Sequence, residues 1–323
     1  MSTITTVEAP GLRDIYAARP RVYRVVRRTP LMQHRLLTAE IGADVYVKHE
    51  NHNPTGAFKV RGGLNLIGSL TAEERKGVIT ASTGNHGQSI ALACRLDSVP
   101  CTIVVPVGNN PEKNAAMRAY GAEVIEFGRD FDEAREKVEQ LQYERGLRYV
   151  HSANEPLLIA GVGTYGLEIF EDLPDVDVVL VPIGGGSGAC GCAIVRTGIG
   201  SRAQIIGVQA AGADAFARSW KTGTRVVGEK VDTFAEGMAT RVTFDLTFGI
   251  LQRELNDLVT LTEAELADGV RVALRTTHNL AEGAGAAPIA AAMKLRDELA
   301  GRKVVCVMSG GNIDRATLKR ILE

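Results

Sequence analysis

From about residue 77 onward, short β-branched apolar runs alternate with longer stretches in which apolar residues recur every three or four positions. That alternation is the pattern of parallel strands joined by crossover helices, so the fold class it predicts is α/β. The runs predict strands over Asp44–Lys48, Gly77–Ala81, Cys101–Val105, Glu123–Phe127, Val176–Pro182, Gln204–Val208 and Lys303–Met308, with helices after most of them. Pro111–Tyr120 reads as a helix with proline near its start and Gly121 as its stop. Asp130–Gly146 reads as another, with Glu and Lys/Arg on an exposed face. Together with Gly77–Leu96 these segments make a βαβα unit of roughly 75 residues, the size of a small domain, and it reads as inserted into a larger one. The expected division is a large domain over 1–67 and 156–323 and a small inserted domain over 68–155. Lys221–Phe248 is the least periodic stretch and is expected to be loop packed near the site.

Composition narrows the function classes. With 323 residues, 45% of them hydrophobic and 23% charged, the chain is long enough for two cores and needs neither disulfides nor metals to fold. Its 37 basic and 38 acidic side chains leave a formal charge of −1, which gives no general field for nucleic acid or an anionic membrane. The five cysteines, Cys94, Cys101, Cys190, Cys192 and Cys306, are odd in number and lack CxxC spacing, which fits a reducing cytoplasm. Met1–Pro10 lacks the basic start and apolar stretch of a signal peptide, and no run approaches membrane-spanning length.

Four segments carry chemistry, each a strand leading through a turn into a helix or loop. In His49-Glu50-Asn51-His52-Asn53-Pro54-Thr55-Gly56-Ala57-Phe58-Lys59-Val60-Arg61-Gly62-Gly63, a tight turn delivers Lys59 beside a bulky aromatic. A lysine at a random position is a solvated surface group. One placed for partial burial has a depressed pKa and a nucleophilic amine. In Thr80-Ala81-Ser82-Thr83-Gly84-Asn85-His86-Gly87-Gln88-Ser89, a helix start offers backbone N–H groups and hydroxyls to a carboxylate, whether or not Ser82 or Thr83 also serves as a plain N-cap. Pro182-Ile183-Gly184-Gly185-Gly186-Ser187-Gly188-Ala189 is a glycine loop whose bare amides suit a small phosphate ligand. It has neither the GxGxxG nor the GxxxxGK[ST] order. In Val305-Cys306-Val307-Met308-Ser309-Gly310-Gly311-Asn312, Ser309 either caps the last helix or points into a cleft at the strand's carboxyl end, where its hydroxyl meets a ring nitrogen.

In this order and spacing the four segments resemble the fold-type-II pyridoxal-phosphate enzymes, in particular the threonine/serine dehydratase and serine racemase family. The resemblance runs from Arg28-Thr29-Pro30-Leu31 to Ser309-Gly310-Gly311-Asn312. It implies a tryptophan-synthase-β-like fold: two open, twisted, mostly parallel sheets flanked by helices, with pyridoxal 5′-phosphate between the domains. By the same resemblance Lys59 is the lysine that holds the cofactor covalently, Phe58 flanks its ring and Asn85 bonds its phenolic oxygen. Gly184, Gly185, Gly186, Ser187 and Gly188 hold its phosphate, and Ser309 partners its pyridine nitrogen. Ser82, Thr83, Asn85 and His86 hold the substrate carboxylate. Ala281-Glu282-Gly283-Ala284-Gly285-Ala286 is similar to a turn placed near the cofactor, with Glu282 facing it.

The implied reaction is elimination of water and ammonia from a small β-hydroxy amino acid such as L-threonine or L-serine, with Lys59 removing the Cα proton. A neutral Ser309 suits elimination over transamination. Where many dehydratases carry a His-Pro-aromatic-Asp run, this chain has His151-Ser152-Ala153-Asn154-Glu155-Pro156, so threonine, serine, 3-hydroxyaspartate and bulkier β-hydroxy amino acids stay open. Gln209 stands where racemase-like members begin a divalent cation site, with Ala213 and Asp214 nearby, which leaves a Mg²⁺ site open and assigns it no ligand. Thr83 stands where the racemases have a serine that serves as second acid/base, which keeps racemisation as the alternative. A cysteine-synthase-like β-replacement enzyme is disfavoured by His86, and a non-catalytic relative by retention of the whole set. The chain stops at Glu323, which leads to the expectation of a catabolic enzyme without a regulatory domain, and family members are commonly homodimers. His49 and His52 read as structural and not as a metal pair. Cys190, Cys192 and Trp220 read as packing, and the Arg129–Arg148 charges as a solvated face.

Overall fold

The computed structural model describes residues 8–129 and 131–323. Its strands are β1 Leu31–Gln33, β2 Asp44–His49, β3 Val78–Ala81, β4 Cys101–Val105, β5 Glu123–Glu126, β6 Arg148–Tyr149, β7 Val178–Pro182, β8 Gln204–Ala210, β9 Asp257–Leu261 and β10 Lys303–Met308. They form a six-stranded sheet in the order β1-β2-β10-β7-β8-β9 and a four-stranded sheet in the order β5-β4-β3-β6. Every pairing is parallel except β1 with β2. Parallel sheets are covered by helices on both faces, which is why β4 and β10 are near-continuous apolar runs with no polar alternation.

The chain lays down β1 and β2, leaves to build the whole four-stranded sheet, and returns with β7 to β10. On its return β10 inserts between β2 and β7. This brings the carboxyl ends of β2, β10 and β7 side by side, the place where open α/β sheets collect ligands. The helix Pro156–Asp172, buried from Leu158 to Phe170, packs against both the Lys59–Ile67 and Ser187–Gly198 helices and forms the backing of that edge.

Behind the same edge lies a network of charges that the sequence reading did not anticipate. Arg61 is fully buried, with Nε donating to Glu50 Oε2 at 2.7 Å and Nη1 to Glu168 Oε1 at 2.7 Å. Lys48 Nζ donates to Glu168 Oε2 at 2.6 Å and to the Thr29 carbonyl at 2.7 Å. Two cations and two carboxylates, all without solvent exposure, neutralise one another. Buried charge is tolerated on that condition. The network ties the end of β2, the Lys59 helix and the Pro156 helix into one block.

Several readings from sequence are corrected. β1, β6 and β9 were not foreseen. β7 starts at Val178, two residues later than read, and β8 runs on to Ala210. The segment read as loop begins inside the helix Ala215–Thr222, contains the turn Glu236–Met238 and ends in the start of the helix Asp245–Glu254. The charged helix is Phe131–Arg145, Asp130 lying outside the described residues, as does Met1–Val7 of the N-terminal reading. All five cysteines are buried and free. No described helix is long and apolar enough to cross a membrane.

Candidate active site

After β2 the chain makes a single turn of 3-10 helix at Glu50–His52, then bends through Gly56, whose φ is +66°. Ala57 bridges to Gly310, and the Phe58 N–H donates to the Ser309 carbonyl at 2.9 Å. Lys59 therefore begins its helix pinned beside the end of β10. Its Nζ donates to Ser187 Oγ at 3.0 Å and lies 5.0 Å from the centre of the Phe58 ring, which meets Tyr165 edge-on. Burial lowers the Lys59 amine to about 8. A primary amine so placed is partly neutral near neutral pH and so available as nucleophile or base.

Ser187 opens the helix Ser187–Gly198 at the end of the glycine loop. Two of the glycines are dictated by geometry. Gly186 sits at φ +90°, where a side chain is strained, and a Cβ on Gly184 would lie 2.1 Å from the Gly237 carbonyl oxygen. The first N–H groups of a helix have no intrahelical acceptor, so the loop presents bare donors beside Lys59.

Across from this loop, β3 leads into the helix Asn85–Asp97. The N-cap position is Gly84, whose carbonyl accepts the first helical bond from the Gln88 N–H at 3.1 Å, so neither Ser82 nor Thr83 occupies it. Ser82 still serves the first turn, accepting from the Gly84 N–H at 3.3 Å and the Gly87 N–H at 2.8 Å. The amides of Asn85 and His86 are left as the helix's opening donors. The Thr80 hydroxyl donates to the Val150 carbonyl at 2.8 Å, so at 3.0 Å it can only accept from His86 Nε2. The imidazole consequently carries its hydrogen on Nε2, and its buried Nδ1 is a bare acceptor with no partner. Burial, with Lys59 and His151 adding to it, lowers His86 to about 3, so the ring is neutral.

Asn85 links the two sheets. Its Nδ2 donates to Glu282 Oε1 at 2.8 Å, and its Oδ1 accepts from Asn312 Nδ2 at 2.7 Å. One N–H of the amide is left over. Burial raises the Glu282 carboxyl above its ordinary value. Ser309 is 4% exposed, and among the described residues its hydroxyl makes no hydrogen bond. It does not cap the last helix. Asp314 does, its Oδ1 accepting from the Thr317 N–H at 2.8 Å. The loop His151–Glu155 lies against the glycine loop, with Ala153 next to Gly185. His151 Nδ1 accepts from the Ala153 and Asn154 amides at 3.0 and 2.9 Å, and its ring meets Phe244 edge-on.

A family model described as "Pyridoxal-phosphate dependent enzyme" matches residues 22–310. The chain belongs to this family. It is 41% identical over 312 residues to an L-threonine ammonia-lyase of Thermotoga maritima, covering 96% of this chain and 78% of that one. It is 42% identical over 310 residues to an L-threonine ammonia-lyase of Geobacter sulfurreducens, covering 96% and 77%. Among solved structures, threonine deaminase isoform 2 of Solanum lycopersicum superposes with a TM-score of 0.90 at 30% identity, covering 100% of this chain and 93% of that one. Maize serine racemase superposes with a TM-score of 0.91 at 29% identity, covering 98% and 97%. The architecture is that of a fold-type-II pyridoxal-phosphate enzyme, and its cofactor is pyridoxal 5′-phosphate.

The site of this pyridoxal-phosphate enzyme fits that cofactor on its own geometry. Contacts join the groups it needs: the Lys59 amine of lowered pKa meets Ser187 at the head of the glycine loop, the Phe58 N–H meets the Ser309 carbonyl, and Glu282 bonds both the Gly310 carbonyl and Asn85, which keeps one amide N–H to spare. A divalent cation fits less well around Gln209. Its Oε1 accepts from the Ala217 N–H at 2.9 Å, and Asp214 pairs with Arg218. Among the described residues no three His, Cys, Asp or Glu side chains gather as a metal set. His49 stacks on His52 and its Nε2 lies 2.9 Å from His34 Nε2. The sequence reading missed Thr80 as the partner of His86, Tyr165 behind Phe58, and Lys113 with Glu236. Charged residues inside apolar runs, such as Glu168, were the available sign of the Arg61 network.

Proposed function

We propose that this enzyme is a threonine/serine ammonia-lyase that converts L-threonine, and L-serine beside it, to the 2-oxo acid and ammonia. The observation that carries the reading is the Lys59 amine, lowered to about 8 and held 3.0 Å from Ser187 at the head of the glycine loop. The names of relatives at 41% and 42% identity support L-threonine over bulkier substrates.

Pyridoxal phosphate, when bound, supplies the electron sink that makes the substrate's Cα–H acidic. Lys59 would hold the cofactor through its amine and, partly neutral near neutral pH, would serve as the general base that takes the Cα proton. The glycine-loop amides with Ser187 would bind the phosphate, and Phe58 would flank the ring. Asn85 would give its free N–H to the phenolic oxygen, Glu282 orienting the amide. The opening amides of Asn85 and His86, with the Ser82 and Thr83 hydroxyls, would receive the substrate carboxylate; the His86 ring, its one N–H given to Thr80, would not. Ser309, a neutral hydroxyl, would meet the pyridine nitrogen without forcing a proton onto it, which would favour loss of the β-hydroxyl over amino transfer.

The test is release of 2-oxo acid and ammonia from a panel of L-threonine, L-serine, 3-hydroxyaspartate and an aryl-serine by the purified, cofactor-loaded protein. Turnover of L-threonine with the highest kcat/KM upholds the reading, and turnover confined to another member replaces it. A second reading, serine racemisation, is favoured by one observation: the Thr83 hydroxyl makes no hydrogen bond among the described residues and stands on the carboxylate loop. Formation of D-serine reads it directly. We also propose residues 68–155 as the inserted small domain, and a homodimer in the cytoplasm. The first is supported by the continuity of the four-stranded sheet in sequence, the second by the family resemblance and the free cysteines.

A further inference from the structure

The loop proposed to receive the substrate carboxylate and the loop proposed to hold the phosphate are joined by a pair of charges with no part in the reaction described so far. Lys113 lies on the helix Pro111–Ala119, whose start is capped by Asn110. The preceding residue, Asn109, donates from Nδ2 to the Thr83 carbonyl at 3.3 Å. The Lys113 side chain itself runs along Gly84. A methyl placed there would be 3.4 Å from Cδ and 3.7 Å from Nζ. The ammonium, on a side chain 12% exposed, pairs with Glu236, which is 49% exposed. Glu236 opens the turn Glu236–Met238, and that turn is wedged in place. A Cβ on Gly184 would lie 2.1 Å from the Gly237 carbonyl oxygen, and a Cβ on Gly237 would meet Ala284 at 2.8 Å and Glu282 Oε1 at 3.6 Å.

We infer that Lys113–Glu236 is a latch across the mouth of the site, in which Lys113 is a positioning residue for substrate binding. It fixes the Thr83–Gly84 backbone, and with it the opening amides of the Asn85 helix, relative to the glycine loop. The inference rests on the proposed carboxylate role of those amides. An ion pair with one half-exposed partner adds little to global stability. Its effect falls on the geometry of a loop otherwise braced by Asn109 and by the Asn85–Glu282 bond. Loss of a contact made equally in bound and reacting states raises KM and leaves kcat in place.

The experiment compares wild type, Lys113→Met, Lys113→Arg, Lys113→Glu, Glu236→Lys and the double variant carrying Lys113→Glu with Glu236→Lys, all loaded with cofactor. Lys113→Met is expected to raise the KM for L-threonine about threefold or more with kcat within about twofold, as a modest ion pair allows. Lys113→Arg and the double charge swap return KM towards wild type, while the single reversals do not. Hydrogen exchange of the 82–88 amides, read without substrate, speeds up in Lys113→Met and recovers in the swap. That arm tests the latch even if L-threonine is not the substrate. Unchanged KM and exchange in Lys113→Met, or a double swap no better than its single reversals, overturns the inference.

Discussion

Lys59 Nζ donates a hydrogen bond to Ser187 Oγ at 3.0 Å, across 128 residues of chain. One residue opens the helix after β2 and the other opens the helix after β7, and both strands flank β10. The contact therefore exists because β10 returns last and draws the two carboxyl ends to a common edge. Replacement of Lys59 by alanine removes the amine and leaves the neighbouring helix starts in place. The Lys59→Ala protein is expected to fold, to lose the visible absorbance of covalently held cofactor, and to lose at least about a hundredfold in kcat, as removal of a general base does. Absorbance spectra and oxo-acid assays on matched preparations check it. A variant that keeps the band and half the rate removes Lys59 from the mechanism.

The depressed amine gives a pH prediction with a definite sign. Burial disfavours the ammonium, so Lys59 titrates at about 8 and not at its ordinary 10.5. Capture of free pyridoxal phosphate by the apoprotein needs the neutral amine. Its rate is expected to rise about tenfold per pH unit below about 8 and to level off above it. Stopped-flow absorbance between pH 6 and 10 reads the profile, where a rise persisting towards 10.5 would mean an ordinary, solvated lysine.

Gly184 tests the glycine loop by shape. A Cβ there falls 2.1 Å from the Gly237 carbonyl oxygen, a backbone atom that cannot swing aside. Gly184→Ala is expected to cost on the order of 1–3 kcal/mol through displacement of the loop. Much of that appears as weaker cofactor binding, about tenfold in Kd for each 1.4 kcal/mol. Titration of the apoprotein with pyridoxal phosphate and a melting curve measure the two parts.

The four chemical segments were legible because each is local. A strand end, a glycine or proline turn and a helix start fit within one short stretch, so Lys59, Asn85, Gly184–Ser187 and Ser309 could be picked out before the fold was known. β4 and β10 were legible because both faces are covered, which makes them unbroken apolar runs. β9 was not, since Asp257–Leu261 lies between two helices with no glycine or proline to mark it. Ser309 was open to reading as a cap because Asp314, the actual cap, comes only five residues later. Lys113 with Glu236 and Arg61 with Glu168 were invisible for another reason. Their partners are 123 and 107 residues apart, and a charge carries no mark of its distant counter-charge.

That last pair leads to the strongest stability prediction. Arg61 serves Glu50 and Glu168 at once, in a block with no solvent access and with Lys48 as the second cation. Removing one member of such a set costs more than the set contributes, because a carboxylate is then stranded in the core. Arg61→Leu is expected to destabilise the protein by about 3–5 kcal/mol. Burial by itself would push the Glu168 carboxyl up, but Arg61 and Lys48 together hold it well below its ordinary value of 4.5. A folded-state pKa depressed in this way means stability that is complete above the unfolded value and lost as pH falls below it. Wild type should therefore lose melting temperature below about pH 4.5, steadily and not at a step. In Arg61→Leu the depression is weakened, so the same decline is shallower and its onset less distinct. Calorimetry from pH 3 to 7 on both proteins separates this from a simple packing defect, which would lower the melting temperature equally at every pH.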